Sequence, residues 1–144
     1  MSNPLRKMFE TDKSVEIEGI VVEYAPGVEI KIARAGGGNK KFAKTMSRLA
    51  KPHRRAIQTD AIAEETLNHL FIKAYAATII LGWKGLTKDL ITHKEEDAKV
   101  ELTFNLENAE ALLTEQPNLF TDIQRTADNI ALFRAEINEA DSGN

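Results

Sequence analysis

Val15-Glu16-Ile17-Glu18-Gly19-Ile20-Val21-Val22 and Val28-Glu29-Ile30-Lys31-Ile32-Ala33, joined through Glu23-Tyr24-Ala25-Pro26-Gly27, decide the fold class. Val15, Ile17, Gly19 and Val21 alternate with Glu16, Glu18, Ile20 and Val22, and Val28, Ile30 and Ile32 alternate with Glu29, Lys31 and Ala33. Period-two apolar spacing on both sides of Pro-Gly predicts a β-hairpin. Pro fixes φ, and Gly accepts the positive φ of a type II turn. An isolated hairpin is marginal in water, so one face must pack on the rest of the chain.

Downstream, Ala35-Gly36-Gly37-Gly38 reads as a flexible link. Asn39 is placed to cap a helix running from Lys40 to about Lys51, with Phe42, Met46 and Leu49 on one side and Pro52 as its stop. A longer helix is expected from about Arg55 to Leu81, with Thr59-Asp60 as a candidate early interruption. Ala63, Leu67, Leu70, Phe71, Ala74, Thr78 and Leu81 step by three and four. Its second half is apolar nearly all round and should be the central buried element, with Gly82 as its C-terminal cap. Leu90-Ile91-Thr92 and Val100-Glu101-Leu102-Thr103-Phe104 read as short strands of a second small hairpin around the charged loop His93 to Lys99. Asn105 caps a helix to about Thr114, and Thr114 caps another with Pro117 in its first turn. In that last helix Leu119, Ile123, Thr126, Ile130, Phe133 and Ile137 form a narrow seam, suited to plain core packing or to a second helix.

The expected architecture is therefore α+β: an N-terminal hairpin, then a mainly helical domain of about four helices. At 144 residues one domain is expected. It would span residues 15–138, with residues 1–14 as a flexible arm and residues 139–144 as a polar tail. No apolar segment follows Met1-Ser2-Asn3-Pro4-Leu5-Arg6-Lys7 to suggest a secretory signal. The apolar run Ala74 to Trp83 falls well short of the ~20 residues a bilayer span needs, so no membrane is expected.

The residues that carry chemistry are sparse. The absence of cysteine removes disulfides, thiolate zinc sites and cysteine catalysis. Gly36-Gly37-Gly38-Asn39-Lys40-Lys41 lacks the Gly-Lys-Ser/Thr ending of a phosphate loop and the spacing of a dinucleotide fingerprint. His53, His69 and His93 fall in different elements. Glu65 and His69 share a helical face, but two ligands are fewer than zinc requires. Glu95-Glu96-Asp97 lacks the spacing and central glycine of a calcium loop. Ser and Thr form no nucleophile elbow. No enzyme activity, cofactor or metal is expected.

Charge is uneven. Residues 1–60 carry 12 Lys/Arg against 7 Asp/Glu, a net of +5, and residues 61–144 carry 7 against 15, a net of −8. Such polarity suits self-association head to tail or a charged partner, and equally two solvated faces. Lys40, Lys41, Lys44, Arg48, Lys51, His53, Arg54 and Arg55 lie within sixteen residues. They could track a phosphate backbone, but Phe42 is the sole aromatic among them and no nucleic-acid motif is complete. An acidic protein partner or a solvated face fits better. Trp83, the only Trp, stands between Gly82 and Gly85 and is either an exposed anchor or a plug over the core.

Lys51-Pro52-His53-Arg54-Arg55-Ala56-Ile57, Leu81-Gly82-Trp83-Lys84-Gly85-Leu86, Phe104-Asn105-Leu106-Glu107-Asn108-Ala109 and Pro117-Asn118-Leu119-Phe120 through Phe133-Arg134 resemble tail assembly chaperones of long-tailed bacteriophages. The glycine-spaced hairpin followed by Asn39-Lys40-Lys41-Phe42 is similar to the start of those proteins, so the resemblance covers residues 15–137. It implies a non-catalytic protein that binds the helical, hydrophobic tape measure protein, keeps it soluble and recruits tail tube subunits. It also implies a place in the host cytoplasm during assembly and absence from the finished virion. Thr87 to Thr103 departs from the family pattern: it is longer, has no Gly and is rich in Lys and Glu. Lys40, Lys44, Arg48, Arg54, Trp83, Phe104, Phe120 and Phe133 are the expected partner-contact residues. The rival expectations are a tail or connector subunit retained in the virion and a nucleic-acid-binding regulator using residues 40–55.

Overall fold

A computed structural model describes residues 3–134. It is an α+β fold, with an N-terminal antiparallel hairpin followed by helices. Strands β1 (Ile20–Ala25), β2 (Val28–Ile32) and β3 (Ile80–Lys84) form one antiparallel sheet in the order β1-β2-β3. Gly27, at φ +79°, makes the expected turn after Pro26. The register sets Ile20 opposite Ile32 and Val22 opposite Ile30. It continues with Ile32 opposite Ile80 and Ile30 opposite Trp83. These residues share the face that meets the helices, and Ile30, Ile32 and Ile80 are buried in the core.

The hairpin is shorter than its alternation suggests. Lys13–Glu18 is a helix, α2, following the short helix α1 (Pro4–Phe9) in the N-terminal segment expected as an arm. Asp12 caps α2 by accepting hydrogen bonds from the amides of Ser14 and Val15 at 3.0 and 3.3 Å. Gly19 ends it at φ +86°, where a Cβ would meet the Ile32 carbonyl oxygen and the Leu81 side chain at 2.9 Å. A capped start and a glycine that alone tolerates that contact override the period-two pattern of Val15 to Gly19.

Helix α3 (Lys41–Ala50) runs into a 3-10 turn, Lys51–His53, at Pro52, and then into α4 (Arg54–Gln58). Asn39 helps start α3, accepting from the Lys41 amide at 3.3 Å. The helix expected over 55–81 breaks at Thr59-Asp60, the interruption its sequence offered, and its C-terminal end is a strand, which leaves α4, α5 (Glu64–Thr78) and β3. β-branched Ile79 and Ile80 leave the helix for the sheet, where the Ala33 amide donates to the Ile79 carbonyl at 2.8 Å. Gly82 therefore lies inside a strand and caps nothing. The near-continuous apolar run from Ala74 reflects a chain buried first as helix and then as sheet.

The second hairpin does not form. Asp89–Thr92 is a helical turn, α6, and the residues before it, Leu86 to Lys88, pair with Val100 to Leu102 instead, at one isolated bridge, Thr87 with Glu101. The Thr87 hydroxyl turns to Asp89, and Thr92 donates to Asp97 at 2.7 Å. These local side-chain bonds fold the segment on itself in place of a ladder.

Asn105 caps α7 (Leu106–Glu115) as expected, accepting from the Asn108 amide at 2.7 Å. Thr114 is inside α7, where it donates to the Glu110 carbonyl, and α8 (Pro117–Asp128) opens on Pro117 after Gln116. The last helix ends at Asp128, and Asn129 starts a 3-10 turn, Ile130–Phe133. Ile137 of the expected seam and the polar tail lie outside the described residues. Four helices of the described chain have ten residues or more: α3, α5, α7 and α8. The core sits where α5, α7 and α8 meet the inner sheet face, around Ile32, Ile79, Leu112, Leu113 and Ile123.

Candidate interaction surfaces

The expected contact residues separate into three environments. Phe120 and Phe133 are buried. Phe120 stacks edge-on against Tyr75, and Tyr75 does the same with Phe42, at centroid distances of 5.3 and 5.2 Å. These rings join α8 and α3 to α5, so Phe120 and Phe133 act through packing.

Trp83 and Phe104 come together from β3 and the segment leading into α7. Their rings meet edge-to-face at 4.9 Å and 85°. The Trp83 Nε1–H donates to the Leu102 carbonyl at 2.7 Å, which satisfies its one polar atom and fixes the ring. Trp83 is half-buried against the core, whereas Phe104 is 39% exposed and Leu106, the first residue of α7, 54% exposed. The result is an apolar shelf with one anchored ring beneath one displayed ring. The sequence contains both aromatics, but their pairing depends on β3 folding back beside residues 102–104.

Lys40, Lys44, Arg48 and Arg54 are exposed along α3 and α4. Among the described residues, none of them lies within 4.0 Å of a carboxylate. Phe42, Met46 and Leu49 occupy the opposite, partly buried side, with Phe42 against Tyr75. The cations therefore face solvent because the apolar side of α3 is committed to α5.

A polar node missed by sequence reasoning lies beside the hairpin. Glu16 is 1% exposed and accepts from the Gly38 amide at 2.9 Å. Its other oxygen lies 3.4 Å from Arg34 Nε. Arg34 in turn donates to the Ala127 carbonyl at 3.0 Å. Gly37, at φ +54°, passes so close to the Glu16 carboxylate that a Cβ would collide with it. The glycine run is thus a fitted turn over a buried charge, not the flexible link expected. No periodic signal marks Glu16, because its burial depends on Arg34, on the glycine turn and, through Arg34, on Ala127, all distant from it in the chain.

Elsewhere, Tyr24 donates to Asp122 at 2.8 Å, and His93 meets Glu115 at 2.8 Å on the surface. Glu65 and His69 are both exposed on α5. Among the described residues no group of three or more His, Asp or Glu side chains is arranged to hold a metal ion. No described helix is long and apolar enough to cross a membrane.

The profile of the YdaY prophage protein family matches residues 37–144. The chain belongs to that family. No curated protein and no solved structure matches it. The YdaY match begins within the glycine turn and takes in the basic helices, β3, the aromatic shelf and α8, while β1 and β2 precede it. Membership gives this chain a phage origin, and both exposed surfaces fall inside the matched region.

Proposed function

We propose that this YdaY-family chain is a tail assembly chaperone, which covers the tape measure protein in the host cytoplasm and helps recruit tail tube subunits before leaving the particle. It makes or breaks no covalent bond in that role. The observation that carries the reading is the Trp83–Phe104 shelf with Leu106 beside it, displayed in a chain of prophage origin. A free rod-like helix exposes apolar stripes and aggregates unless a partner covers them. A rigid aromatic pair offers contact area at low entropic cost, and an apolar stripe laid across it would be shielded from water. The resemblance of the Trp83, Phe104 and Pro117 segments to tail assembly chaperones supports the same reading.

Co-expression with the tape measure protein of the same prophage is the test. The soluble fraction of that partner should rise, and Leu106→Asp, at an exposed first-turn position that accepts an acid, should reduce the gain. An unchanged soluble fraction would end the proposal. Mass spectrometry of purified particles should find the chain absent; its presence there would instead make it a retained tail subunit.

A further inference from the structure

The α3–α4 ridge is a second exposed surface within the family match, and the shelf does not account for it. Lys40, Lys44 and Arg48 recur every four residues, which spaces them about 6 Å apart along one helical line. Lys51 and Arg54 follow at three-residue steps, in the 3-10 turn and at the start of α4. Between the helices lies a shallow groove lined by Ser47, Ala50, Lys51, Arg54, Ile57 and Gln58. Ile57, 40% exposed, and Ala50 give this groove apolar surface beside the cations Lys51 and Arg54.

We infer that this ridge docks an acidic amphipathic helix, one carrying Asp or Glu at four-residue intervals beside an apolar stripe. The inference rests on the chaperone reading only for the identity of the helix's owner, the tape measure protein. Four observations choose this occupant. Carboxylates four apart on a helix repeat at the same ~6 Å as the cations. Ala50 and Ile57 give the groove apolar surface beside its cations, which rewards a side chain from the partner's apolar stripe and which a phosphate backbone would leave unused. The one Phe, Tyr or Trp of the segment, Phe42, is packed against Tyr75 and is not available to stack on a base. The rest of the chain is acidic and would repel a continuous polyanion, whereas a helix with one acidic stripe touches the ridge alone.

Fluorescence anisotropy on the full chain tests this with three probes. They are a designed helical peptide with Glu at four-residue intervals and a Leu stripe, the same peptide with Lys for Glu, and a short DNA duplex. The acidic peptide should bind at low ionic strength, weaken as salt is added, and outcompete both other probes. Arg48→Glu with Arg54→Glu should weaken it by about tenfold or more, and Arg48→Gln with Arg54→Gln by less. Lys31→Glu, on the outer sheet face, should leave it unchanged. All three side chains changed are exposed, and circular dichroism verifies that each variant stays folded. No binding by the acidic peptide, equal binding by the double charge reversal, or tighter binding of DNA would overturn the inference. None of these outcomes touches the co-expression test, which the shelf can pass by itself.

Discussion

Gly37 and Gly82 show how much a single position depends on its surroundings. At Gly37 a side chain meets both a left-handed backbone and the Glu16 carboxylate, whereas at Gly82 nothing lies within 4 Å of an added Cβ. Gly37→Ala should cost about 1–3 kcal/mol in urea unfolding, while Gly82→Ala should be neutral or slightly stabilising, since strand glycine carries excess chain entropy. The two tyrosines form another residue-scale pair. Burial, followed by the charge of Asp128 and partly offset by Arg34, pushes the Tyr75 phenol up to about 12. Burial and the bond to Asp122 push Tyr24 up as well. Both folded-state values lie above the unfolded value of about 10. Their contribution to stability is therefore complete below that pH and is lost as pH rises through the folded-state range. Ultraviolet titration of the native protein should find little tyrosinate at pH of about 10, and stability should fall steadily above it. Full ionisation of either ring at pH of about 10 in the folded protein would contradict this environment.

At the scale of elements, the hairpin carries a local conflict. Glu23 stands directly across from Glu29, and Lys84 stands opposite Glu29 on the other neighbouring strand. Like charges opposite each other weaken a pair, and opposite charges strengthen it, by roughly 0.2–1 kcal/mol. Glu23→Lys should raise the thermal midpoint, whereas Glu29→Lys, which would face Lys84, should gain less; differential scanning fluorimetry would rank them. The elements were legible in the sequence where local signals were complete. The Pro26-Gly27 turn, the Asn105 cap and Pro117 at the start of α8 each stand as read. They failed where a period was shared between two structures. Val15 to Gly19 alternates yet is helical, held by Asp12 and ended by Gly19. Ile79 to Leu81 fits a helical stripe yet passes into β3, because β2 offers an open edge for it. Leu90 to Thr92 is rich in strand formers, but its hydroxyls and carboxylates close on one another first.

Across the whole molecule, the Glu16–Arg34 pair joins three separated parts of the chain: α2, the stretch from Arg34 through the glycine turn, and the C-terminal end of α8. Removing one partner of a buried pair leaves a charge without compensation, which typically costs about 3–5 kcal/mol. Arg34→Ala should reach that range in chemical denaturation. Glu16→Gln, which keeps an acceptor for the Gly38 amide, should cost less. Equal and small losses would mean that the node is not a structural lock. The same scale separates the contact residues. Phe120 and Phe133 belong to the interior, while Trp83 and Phe104 form the shelf and Lys40 to Arg54 the ridge.

The sequence alone determined the α+β class, the Pro-Gly hairpin, the main helical segments and the exposed basic stripe, because turn chemistry, caps and charge act over a few residues. Tertiary structure alone decided the third strand, the burial of Glu16, the fitted glycine turn and the choice of which aromatics face outward. Each of these depends on what a distant segment places opposite: an open edge at β2, a cation at Arg34, a tryptophan under Phe104. Periodicity along one element shows that it has an apolar side, and only the neighbouring element decides whether that side is covered.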